Sequence, residues 1–113
     1  MSIENFNADV ATAFARVKCA KAGDWGSEES QTACPVTACW LLHHGWRYPA
    51  AKEYIGQWFK DEYGFTRDFA EGIVHGFDNS KDKIETRYEN YRVYLDGFSL
   101  GESVANRWRN SNV

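Results

Sequence analysis

The chain has 113 residues, 43% of them apolar and 26% charged, with a formal net charge of −3. That length suits a single domain spanning 1–113, and the composition is that of an ordinary globular chain rather than a disordered one. The acidic balance argues against a protein built to grip phosphate backbones, which usually shows a basic surplus, and no run approaches a membrane span.

The first segment, about Glu4 to Ala22, places Phe6, Val10, Ala13, Phe14, Val17 and Ala20 on one arc at the helical repeat. Gly23 is its natural stop. Gly23–Gln31 is a loop by composition. Ser30 or Thr32 can cap the next helix, with Pro35 tolerated in the first turn. From Val36 to Leu42 no charge appears on any face. A helix apolar all round is buried, so Val36–Leu42 is expected to be the central helix, ended by Gly45.

Pro49 suits the start of a third helix, whose stripe is Ala51, Tyr54, Ile55, Trp58, Phe59 and Tyr63, closed by Gly64. Thr66 can cap a fourth, with Asp68 in its first turn and Phe69, Ala70, Ile73, Val74 and Phe77 inward. Ser80 can cap a long last helix from about Lys81 to Trp108, with Ile84, Tyr88, Tyr91, Leu95, Phe98 and Ala105 on its apolar side and a kink near Gly97. The expected fold is all-α, about five helices around the Val36–Leu42 helix. A faint internal echo links Arg67–Gly76 with Arg92–Gly101 at an offset of 25 residues. In it Gly72 and Gly76 answer Gly97 and Gly101. Glycine inside a helix costs about 1 kcal/mol against alanine, so both strips are expected at a helix–helix crossing.

The chemistry-bearing residues gather in Ala33–Trp46. Cys39 and His43 share a helix face, which is half of a zinc site. Cys34 lies about 140° away on the wheel at 100° per residue, His75 projects to the polar side of its own helix, and no CxxC or HExxH motif occurs. No metal and no cofactor are expected. Cys34 near a helix start could favour a thiolate. His43 and His44, however, lie roughly 14–15 Å away at the helical rise, too far to serve as its base. The simpler reading is a buried helix whose last carbonyls are met by histidine donors ahead of Gly45. Arg107–Asn110 could seat a nucleic-acid strand around Trp108. Those arginines equally suit a helix C-terminus, and the net charge argues against nucleic acid as a partner.

Trp25 in an acidic loop, and Trp46 and Tyr48 flanking Arg47, are aromatics in predicted loops. Trp, Tyr and Arg dominate binding hot spots. The expectation is therefore a protein-interaction or self-associating module that contacts a partner through Trp25, Trp46, Arg47 and Tyr48. The alternative is a ligand-binding or enzymatic domain using the polar end at His43, His44 and Arg47; nucleic-acid binding ranks third. Three cysteines, without a basic-then-apolar leader at the N-terminus, suggest free thiols in the cytoplasm.

Overall fold

A computed structural model describes residues 2–109. The apolar periods become five α-helices: α1 (Ile3–Phe14), α2 (Pro35–His43), α3 (Ile55–Tyr63), α4 (Arg67–Asp78) and α5 (Tyr91–Val104). Among the described residues the only sheet is a parallel pair of two-residue strands, β1 (Lys18–Cys19) on β2 (Thr32–Ala33). The fold is all-α.

α2 is the buried middle of the molecule. Pro35, Val36, Thr37, Ala38, Cys39 and Leu41 are all buried, and the helix meets α1, α3 and α4. An aromatic nucleus sits beside it, with the Phe6 ring edge-on to Phe59 at 5.5 Å and to Tyr63 and Phe65 at 5.8 Å each. Edge-to-face pairs of this kind add stabilisation beyond the area they bury.

α4 and α5 cross at close quarters along both glycine strips. A methyl group at Gly72 would collide with the Tyr94 carbonyl oxygen, and one at Gly97 with that of Phe69. Likewise Gly76 faces the Phe98 carbonyl and Gly101 that of Ile73. Each contact maps onto its counterpart at the 25-residue offset, so the echo in sequence is a local twofold relation in space. Small residues four apart let two backbones approach this closely.

Several boundaries differ from the sequence expectation. The first helix stops at Phe14 rather than Ala22, because the Arg16 and Val17 N–H groups turn back to the Ala13 carbonyl. The chain then extends, and the Lys18 and Ala20 N–H groups bond the Gln31 and Ala33 carbonyls. Val17 and Ala20 are still buried, but from the extended segment around β1. Neither Ser30 nor Thr32 caps α2. Cys34 does, its sulfur accepting from Thr37 N–H at 3.5 Å, with Pro35 at the first helical position. Pro49 precedes the third helix instead of starting it; a 3₁₀ turn at Lys52–Tyr54 leads into α3. Tyr54, placed inward by its spacing, is 72% exposed. Thr66 caps α4 through Phe69 N–H at 3.2 Å, and Gly64 closes α3 in the left-handed region.

The largest correction falls on the expected Lys81–Trp108 helix. Residues 81–90 form no α-helix, and Glu85–Arg87 makes one 3₁₀ turn. Asn90 rather than Ser80 is the cap, its side chain accepting from Arg92 and Val93 N–H. α5 runs through Gly97 without a break and passes into a π turn at Ala105–Arg109. The preceding segment is shaped by polar bonds. Tyr88 OH donates to the Asp82 carboxylate at 2.9 Å, Tyr91 OH to the Asp82 carbonyl at 2.7 Å, and Asn90 N–H to Asp68 at 2.9 Å. These tertiary bonds outweigh the helical spacing of Ile84, which is left 48% exposed.

Candidate functional site

The C-terminal end of α2 carries a cluster of rings and charges. Its residues come from three elements: Asp9 on α1; Trp40, His43 and His44 at the end of α2; and Trp58, Glu62 and Tyr63 on α3. Tyr63 OH donates to Asp9 Oδ2 at 2.6 Å, and His43 Nε2 bonds the same oxygen at 2.8 Å. His43 Nδ1 lies 3.5 Å from Glu62 Oε1. Each imidazole nitrogen thus already faces a carboxylate, which leaves none aimed at an incoming substrate. Burial raises the Tyr63 hydroxyl well above its ordinary range, with neighbouring Cys39 and Asp9 adding to it, so Tyr63 stays a donor.

His44 ends the helix. Its Nδ1 lies 2.8 Å from the Trp40 carbonyl, one of the carbonyls a helix end leaves unmet, and its ring stacks on Trp40 at 3.7 Å. Trp58 stands edge-on to Trp40, His43 and His44 at 5.5, 5.5 and 5.3 Å. Trp40 Nε1 donates to the Arg47 carbonyl at 3.1 Å, while the Arg47 side chain stays exposed. The result is a half-exposed aromatic platform, and Tyr54 stands one turn before Trp58.

Trp25, Trp46 and Tyr48 do not converge on that platform. All three are half-buried and packed on apolar clusters. Tyr48 OH donates to the Thr32 carbonyl at 2.9 Å, and Arg16 covers the Trp46 ring at 4.3 Å. Trp46 itself has a positive φ of 66°. The Cys34 N–H donates to the Trp25 carbonyl at 3.1 Å, tying that loop to the start of α2. Trp25 and Tyr48 share one shallow groove, and Trp46 and Tyr48 both pack on the cluster around Leu41.

A second hollow, unmarked by any motif, opens between α3 and α4 with a volume of about 350 Å³. Phe59, Val36, Ala70 and Val74 floor it, Trp25 walls one end, and Lys60, Arg67, Glu71 and His75 stand around it. Its only trace in the sequence is Gly56, a glycine on α3 where a methyl group would find no neighbour within 4 Å.

All three cysteines are buried. Burial raises the Cys34 thiol despite its position at a helix start, because the desolvation cost of a thiolate outweighs its bonds to Thr37. Among the described residues no three His, Cys, Asp or Glu side chains gather as metal ligands. At the C-terminus Arg109 bonds the Phe77 and Ala20 carbonyls at 2.7 and 3.3 Å, while Arg107 lies over Trp108 at 4.8 Å. Asn110, the last residue of the basic motif, lies outside the described residues. No described helix is long and apolar enough to cross a membrane. The chain matches no protein-family model, no curated protein and no solved structure.

Proposed function

We propose that the chain is a protein-binding module whose contact surface is the platform of Trp58, Trp40 and His44, with Tyr54 and Arg47 at its edge. The observation that carries this reading is Tyr54, 72% exposed one turn from half-buried Trp58. An aromatic ring held in water one turn from a half-buried tryptophan is the kind of group that a partner covers with gain. Relative to the sequence expectation, the surface moves from Trp25, Trp46 and Tyr48 to the other rim of α2, keeping Arg47. The reading by catalysis at His43 and His44 draws less support, since both His43 nitrogens face carboxylates and His44 Nδ1 is spent on the Trp40 carbonyl. Buried thiols fit a reducing compartment, which supports the cytoplasm as the place of action.

A photo-crosslinking residue at Tyr54 tests this in the native host. The expected result is one discrete adduct, absent when the crosslinker replaces exposed Ile84 and weakened by Arg47→Glu. The adduct's mass tells a second copy of this chain from a different protein. No adduct at Tyr54, or the same adducts from both positions, would sink the reading.

A further inference from the structure

We propose that the hollow between α3 and α4 is a binding site for a small amphipathic monocarboxylic acid, separate from the aromatic platform. The polarity of the site follows from topology. α3 and α4 are joined by the tight turn at Gly64, whose neighbour Phe65 bonds back to the Lys60 carbonyl at 3.0 Å. Lys60 and Arg67 therefore flank the turn end. At the far end Gly56, Val74 and Trp25 stand around the opening, and His75 beside Val74 turns its Nδ1 to the Tyr94 hydroxyl at 2.7 Å. The hollow carries Lys60, Arg67 and Glu71 at one end and a mainly apolar wall at the other, and its volume lies at the low end of the range of about 300–1,000 Å³ seen for small-molecule sites.

The charges at the turn end do not balance. Arg67 reaches Glu71 at 3.6 Å and the Arg87 carbonyl at 3.4 Å, both long contacts. Lys60 makes no ion pair among the described residues, although its side chain is half-buried. Two cations against one carboxylate leave a single positive charge, which one ligand carboxylate neutralises. A phosphate dianion or a cationic ligand would not match that balance. The ligand's hydrocarbon body would then lie along Phe59 and Val74 toward Trp25, which places an indole reporter at the apolar end.

Decanoate, decanol and decyltrimethylammonium are suitable probes, read by backbone amide and indole N–H shifts in the full chain. Decanoate is expected to give saturable shifts at Trp25, Gly56 and Val74. Decanol and the ammonium should bind at least about tenfold more weakly, the loss expected when a charge-assisted bond is missing. Lys60→Met keeps the apolar stem and should weaken decanoate about tenfold while leaving decanol unchanged. Gly56→Leu fills the opening from a position with free space around it, so the fold should persist and decanoate binding should vanish. Equal affinity for decanoate and decanol overturns the proposal. So do shifts centred on Tyr54 and Trp58, or retained binding in Gly56→Leu with unchanged spectral dispersion. None of these outcomes bears on crosslinking at Tyr54, so the two readings stand or fall separately.

Discussion

Single side chains decide how this protein answers pH. Burial pushes the Cys19 thiol up to about 11 from 9.0, against a smaller opposing effect of Arg109, and it raises Cys34 and Cys39 too. A group whose folded value is raised holds its proton more tightly when folded. Its stabilisation is therefore complete below the unfolded value and is lost as pH climbs through the folded one. The melting temperature is expected to begin falling near pH 9, more steeply above 10.0 where Tyr63 and Tyr88, also raised by burial, would ionise in the unfolded chain. Melting scans from about pH 7 to 11 check this; a flat profile would contradict it. Under native conditions near pH 8 a thiol reagent should react slowly, and in denaturant it should find three thiols. Tyr94 is the other telling side chain. Fully buried, its hydroxyl accepts from Asp82 N–H at 2.8 Å and meets His75 Nδ1 at 2.7 Å. Tyr94→Phe strands that N–H, so a loss of about 1–3 kcal/mol is expected in denaturant unfolding. None of this was readable from apolar spacing, which registers a tyrosine as a ring and is blind to where its oxygen bonds.

At the scale of elements the two glycine strips make opposite claims on propensity and packing. Alanine would favour each helix by about 1 kcal/mol. At Gly72, Gly76, Gly97 and Gly101, however, the added methyl meets backbone of the facing helix, which cannot step aside as a side chain can. Each of these four alanine variants is expected to lower the melting temperature. Gly56→Ala, with open space around it, is expected to raise stability by up to about 1 kcal/mol. A gain at Gly72 equal to that at Gly56 would mean the crossing is looser than described. These elements also show what the sequence carries. Phe69, Ile73 and Phe77 keep the helical repeat and have a threonine cap and a short loop behind them, so α4 forms where its spacing says. Ile84 and Tyr88 keep the same repeat, yet Asp82 collects the hydroxyls of Tyr88 and Tyr91 and pulls the chain out of helix. Cys34 took the cap expected of Ser30 or Thr32 because strand pairing holds Thr32 away from the helix start. The ring platform was half legible. Its histidines stood out, but Asp9 and Trp58 reach them from other helices, and only the packing of α1 and α3 on α2 brings them in.

In the whole molecule, Trp25 is a joint between parts. It borders the hollow between α3 and α4, the groove beside Tyr48, and a small cavity over Ile73 and Phe77. Its loop is pinned to α4 by the bond from Gly23 N–H to Asp78 at 2.8 Å. Trp25→Ala is expected to merge these spaces and cost about 3 kcal/mol or less, since the ring is only half-buried. Calorimetry would show it, and an unchanged transition would mean the ring contributes little to the loop's anchoring. The near-twofold meeting of α4 and α5 reaches further. A surface that fits its own near-copy also fits the same surface on another molecule, so the pairing code alone does not say which chain the second helix comes from. What keeps the pair within one chain is the connection from Asn79 to Asn90, long enough to reverse direction and fastened through Asp82. Tether length is thus expected to set whether α5 pairs within its own chain or with another. Cutting that connection to about three residues is expected to forbid the return and drive exchange of α5 between two chains. The product would be a dimer that light scattering reads as twice the monomer mass, and Gly97→Leu in the shortened chain should abolish it.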